Sequence, residues 1–102
     1  MDKESLTEKL LDLVEGRETP ESWRNWWDEH ETELEALLSR GEFLKLKPCR
    51  HGFQWVPVFG SQKRAIAILE KSGTAFEAST LYQERYLAEL DAFCEEQRKV
   101  QR

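Results

Sequence analysis

A chain of 102 residues with 39% hydrophobic residues and eleven aromatics, four of them tryptophan, holds too much core material to be a disordered segment, although 34% of it is charged. Its formal net charge of −5 is sorted along the sequence: residues 1–42 carry five basic and thirteen acidic side chains, 43–72 six and one, and 73–102 four and six. Such sorting bears on partners rather than fold, while two distant cysteines, Cys49 and Cys94, exclude the disulfide-dense class of small secreted domains.

The opening MDKESLTEKLL has no continuous apolar run of the signal-peptide type, and no stretch approaches a bilayer span. A single compact domain over residues 1–102, cytoplasmic, with reduced thiols and no membrane association, is therefore expected. In chain order, Ser5 and Glu8 have capping-box spacing, and Leu6, Leu10, Leu13 and Val14 follow on one face until Gly16, which predicts a short first helix. Thr19 and Pro20 read as an N-cap and first-turn proline of a second helix running to about Ser39, with Gly41 behind it. Its Trp23, Trp26, Trp27, His30, Leu34, Leu37 and Leu38 share an arc of about 120°, leaving carboxylates on the remaining surface.

Beyond Gly41 the pattern alternates. Leu44 and Leu46 oppose Phe43, Lys45 and Lys47, predicting a strand closed by Pro48; Phe53 to Phe59 reads as a second strand, placed at an edge by Pro57. Cys49-Arg50-His51-Gly52 would form the hairpin tip between them. Gly60 and Ser61 then open a third helix ending at Gly73, Thr74–Ala78 reads as a third extended segment, and Thr80 with Gln83 is expected to cap a final helix. Tyr82, Tyr86, Leu87, Leu90, Phe93 and Cys94 cover about 140° of that helix and predict a buried stripe with Cys94 inside. The result is an α+β fold in the order ααββαβα, a two- or three-stranded sheet covered by about four helices. Its main competitor is an all-helical domain whose extended runs are loops.

Motifs with chemistry are few. Cys49, His51, His30 and Cys94 are zinc-type ligands, but their spacing matches no paired-ligand pattern, and His30 and Cys94 fall on apolar faces. A thiol enzyme using Cys49 and His51, with Arg50 lowering the thiol pKa, lacks an orienting third residue. No catalytic, cofactor or metal residue is assigned. Ser61, Lys63 and Arg64 near an expected helix start, together with Arg50, form a candidate anion site. Lys45, Lys47 and Lys71 with Phe53, Trp55 and Phe59 would extend it into a surface suited to single-stranded nucleic acid, against which stands the acidic pI near 5.1.

The carboxylates of the second helix, with Asp28, Glu31 and Glu35 as candidate partner-binding residues, suit a basic protein partner. The sequence thus favours a non-enzymatic interaction protein of inhibitor, immunity or adaptor type, with an anion- or nucleic-acid-binding module as the alternative and the thiol enzyme third. Clustering of the basic side chains on one exposed face would favour the alternative.

Overall fold

The computed structural model describes residues 2–48 and 53–100, the last of these by its backbone alone. Among them are five helices: α1 (Lys3–Val14), α2 (Pro20–Leu37), α3 (Arg40–Leu46), α4 (Trp55–Ser72) and α5 (Leu81–Val100). No strand occurs among the described residues, so the expected α+β sheet is corrected to an all-helical arrangement. The expected hairpin tip, residues 49–52, lies outside the described residues.

The three extended segments fail for separate reasons. The Ser39 hydroxyl accepts the Glu42 N–H, and the Glu42 carboxylate accepts the Ser39 N–H, both at 3.2 Å. This capping box starts a helix where alternation suggested a strand. Seven residues are too few for the two periods to separate, and the inward pair turns out to be Phe43 and Leu46, three apart. The Phe43 ring lies 5.2 Å from Trp27, and Leu46 is fully buried. Most of the second run, from Trp55 on, is the first turn and a half of α4. Pro57 occupies its third position, where the backbone N–H has no intrahelical partner to lose. Thr74–Ala78 is a connection without regular structure.

Helix ends shift less. Asp2 caps α1 by accepting the Ser5 N–H at 2.8 Å, one turn ahead of the expected Ser5–Glu8 pair. Thr19 and Pro20 start α2 as expected, with Ser22 completing the box, but the helix ends at Leu37 and Gly41 lies inside α3. At α5 the Ser79 hydroxyl accepts the Leu81 N–H at 3.1 Å, while the Thr80 hydroxyl reaches Glu84 rather than Gln83. Gly16 and Gly73, at φ 85° and 75°, close α1 and α4 in the left-handed region.

Helix α4 packs against each of the other four. Around it the core gathers Leu10, Leu13 and Val14 of α1, Trp23, Trp27 and Leu34 of α2, and Tyr82 of α5. Each such side chain contributes roughly 1.5–3 kcal/mol by leaving water. A buried amide pins three elements together. Gln62 Nε2 donates to the carbonyls of Val14 at 2.8 Å and Ser79 at 2.9 Å, and the Ser79 N–H donates to the same Val14 oxygen at 2.9 Å. The last carbonyl of α1, that of Val14, is thereby satisfied from α4 and from the chain entering α5.

Helix α5 departs most from expectation. Tyr82 is buried, Tyr86 and Leu90 are half-buried, and Phe93 and Leu87 are 45% and 47% exposed. Cys94, expected inside, is exposed. Residues 91–99 are all exposed, and the long axis of the molecule is 54 Å against 27 and 21 Å. The periodic stripe is real but only partly covered: Tyr86 and Phe93 meet Phe53, while Leu87 and Cys94 face solvent.

Candidate functional site

Two charged surfaces flank α3. The acidic one begins with the tryptophans of α2. Trp23 and Trp27 are 0% and 1% exposed, with rings 6.0 Å apart, and Trp26 stacks on Trp23 at 5.1 Å. The aromatic stripe is therefore core, and what α2 offers to solvent is its carboxylates.

Asp28, Glu31 and Glu35, spaced i, i+3 and i+7, share one face. Asp28 and Glu35 are exposed; Glu31 is half-buried, its carboxylate 2.8 Å from Lys47 Nζ. Lys47 also lies over the Phe43 ring at 5.8 Å. With Phe43 set on Trp27, this pair holds α3 across α2. The same docking turns Leu44 outward, at 58% exposure, the largest among the exposed large hydrophobic residues. Glu35, Arg40, Phe43 and Leu44 line an open depression of about 320 Å³.

The basic surface lies between α3 and α4. Lys45, Gly60, Lys63, Arg64 and Ala67 line a shallow depression of about 370 Å³. A neighbouring one of about 360 Å³ is lined by Ser39, Glu42, Arg64, Ala67, Ile68 and Lys71. Glu42 sits among these cations, and its carboxyl is held below the usual range, first by the hydrogen bonds from Ser39 and then by Arg64 and Lys71.

Of the anion-site residues read from the sequence, Lys63 and Arg64 share a pocket, and Arg50 lies outside the described residues. Ser61 is buried, its hydroxyl donating to the Leu46 carbonyl at 2.7 Å. Because α4 starts at Trp55, residues 60–64 are helix interior, so the free N–H groups of the expected helix start are engaged there. Lys47 turns to Glu31 instead of joining the cluster. Phe53, Trp55 and Phe59 face α5: Phe53 meets Phe93 at 5.4 Å, Trp55 stacks on Tyr82 at 5.9 Å, and Phe59 lies 5.9 Å from Tyr86. Lys63 reaches over Phe59 at 4.3 Å, the single link between the cations and those rings among these contacts.

The remaining candidates disperse. His30 Nδ1 bonds to the Trp26 carbonyl at 2.9 Å, and its ring lies 5.3 Å from Trp26. Cys94 is on α5, and Cys49 and His51 lie outside the described residues. Among the described residues no group of three His, Cys, Asp or Glu side chains is arranged to hold a metal, and no helix is long and apolar enough to cross a membrane. Sequence reasoning missed Leu44, because a strand reading gives it a covered face. The Ser39–Glu42 capping-box spacing was the signal that would have turned it outward.

Comparison with protein families, curated proteins and solved structures returns no match for this chain.

Proposed function

We propose that the protein is a non-enzymatic binding module that docks a basic protein partner on the outer face of α2 and the adjoining edge of α3. The observation that carries this reading is the exposed Leu44 beside Glu35, at the margin of a helix whose aromatic side is committed to the core. An apolar contact rimmed by charge is the make-up of a small protein interface, in which the buried centre supplies affinity and the rim supplies registry. Like-signed carboxylates along α2 would speed encounter with a basic surface.

The test starts from a partner recovered by cross-linking in the native host and then purified. Changing Asp28, Glu31 and Glu35 together to Lys should slow its association about tenfold or more at low salt with little change in dissociation. Leu44→Asp should do the reverse and act on dissociation. A partner that binds both variants as it binds the parent would remove this reading.

A second reading rests on the pocket shared by Lys45, Lys63 and Arg64. Three cations around one depression suit a phosphate or another polyanion. The Glu42 carboxylate beside Arg64 and Lys71 weighs against it by neutralising part of that charge.

A further inference from the structure

The cleft between α3 and α4 gathers more cations than acids, in a chain where acids are in excess. On α4, Gly60, Lys63, Arg64, Ala67 and Lys71 fall within an arc of about 100°, and the one acid of that helix, Glu70, lies just outside it. Arg64 and Ala67 line both of the depressions described above, so the two form one trough that Arg64 divides. Lys45 and Lys63 stand on one side of Arg64, Lys71 and Glu42 on the other. Its floor is low between the cations: Ala67 has only a methyl group, and a Cβ at Gly60 would meet nothing within 4 Å.

Arg64 is half-buried, with its Nε shielded from solvent and without a hydrogen-bond partner. The terminal guanidinium nitrogens form the end that reaches the trough, and no carboxylate among the described residues pairs with them. A fork held by a sunken stem has given up much of its freedom in advance, and its two parallel N–H donors match a pair of oxygens on one anionic group. With Lys45 and Lys63 beside it, that half of the trough suits the double charge of a phosphate better than the single charge of a carboxylate.

The other half is different. Arg64 and Lys71 help to hold the Glu42 carboxyl ionised, and its Oε1 accepts the Ser39 N–H, while Oε2 has no hydrogen-bond partner among the described residues. A carboxylate there repels a second phosphate and accepts from hydroxyl groups, which sets a monoester ahead of a polyphosphate or a nucleic-acid strand. We infer that the trough binds a small phosphomonoester, its phosphate among Lys45, Lys63 and Arg64 and its hydroxyl-bearing body against Glu42. This deepens the second reading above and rests on it, and the α2 face takes no part.

Titration of the isotope-labelled chain with α-glycerophosphate, followed by nuclear magnetic resonance, tests this, because the Arg64 Nε–H gives its own signal. That signal and the α4 amides around it should shift and approach saturation near about 1 mM, as suits an open site of this size. Inorganic phosphate should bind about tenfold more weakly for want of the hydroxyl contact to Glu42, and sodium chloride at equal ionic strength should give no saturating shift. Arg64→Lys keeps the charge but loses the fork, and should weaken both ligands about tenfold. Ala67→Glu places a carboxylate in both halves and should abolish both. Glu42→Gln removes a repelling charge, so it should tighten inorganic phosphate while reducing the preference for α-glycerophosphate to about twofold or less. The far-ultraviolet circular dichroism of the last two variants should equal that of the parent, since Ala67 is exposed and the introduced amide oxygen still accepts the Ser39 N–H. Saturable binding with no preference between the two ligands would overturn the monoester assignment and leave the simpler anion reading standing. Shifts indifferent to Arg64→Lys and Ala67→Glu, or no saturable shift with either ligand, would remove both.

Discussion

The Tyr82 hydroxyl accepts the backbone N–H of Glu18 at 2.7 Å, joining residues 64 apart in the chain and fastening the start of α5 to the loop between α1 and α2. The Glu18 side chain is itself buried, paired with Lys9 and accepting the Ser22 hydroxyl at 2.5 Å. On its other side the Tyr82 ring stacks against Trp55. One phenol thus serves both as core hydrocarbon and as the acceptor of a loop N–H that would otherwise be unpaired.

Tyr82→Phe keeps the ring and removes the acceptor, so it should cost about 1–2 kcal/mol in urea unfolding near neutral pH. The alkaline limb gives a sharper signature. Burial, before any other cause, pushes the Tyr82 hydroxyl from 10.0 up to about 12. Between those values the unfolded chain has lost the phenolic proton and the folded chain still holds it. The contribution is therefore fully present below about pH 10 and is lost as pH rises toward about 12, by at most about 3 kcal/mol. The parent should lose more stability than Tyr82→Phe across that window. Parallel unfolding curves for the two proteins from about pH 9 to 12 would show that the hydroxyl is not buried as described.

Two glycines predict opposite outcomes for the same substitution. Gly16 has φ 85°, and a Cβ there would stand 2.7 Å from Ser79 Oγ, within the contact that also engages Val14 and Gln62. Gly16→Ala should destabilise by about 2–4 kcal/mol from the left-handed backbone and the clash together. Gly60 lies in the interior of α4, and a Cβ there meets nothing within 4 Å. Gly60→Ala should stabilise by about 0.5–1 kcal/mol. Thermal unfolding of the pair should move in opposite directions from the parent.

The sequence was most legible where side-chain chemistry and helical period agreed. Thr19 and Pro20 fixed the start of α2, and the Trp23, Trp27 and Leu34 arc identified its buried side. Legibility failed where a run was short. Over Arg40–Leu46, two-residue alternation and i, i+3 spacing select overlapping sets, and the Ser39–Glu42 box decided the matter. Pro57 misled because a proline in the first helical turn and one on an edge strand satisfy the same lack of an N–H. For α5 the period was read correctly, but period reports an apolar face and not what lies against it. Hence Phe93 and Cys94 were expected inside. Of the candidate site, the carboxylate face of α2 was visible in the sequence, whereas the grouping of Lys45 with Lys63 and Arg64 depends on how α3 crosses α4 and was not.

Exposure of Cys94 on α5 contradicts the buried position expected for it from the sequence and is directly measurable. On a Cys49→Ala background Cys94 should react with a maleimide at the rate of an unstructured cysteine. Slow labelling would return Cys94 to the core.

The two charged surfaces can be separated by one pair of substitutions. Lys63→Glu with Arg64→Glu reverses the charge of the pocket that includes Lys45 while leaving the α2 carboxylates untouched. If the acidic face is the working surface, association with the basic partner should be unchanged by this pair and slowed by the Asp28, Glu31 and Glu35 reversal. Polyanion binding should respond the other way. The parent is expected to hold a single-stranded oligonucleotide no more tightly than about 10 µM near physiological salt, because a net charge of −5 opposes its approach at long range. Fluorescence anisotropy across a salt series measures this. A sub-micromolar constant that weakens steeply with salt and disappears in the Lys63 and Arg64 variant would move the working surface to the α3–α4 pocket, since only displaced counterions at those cations produce that slope.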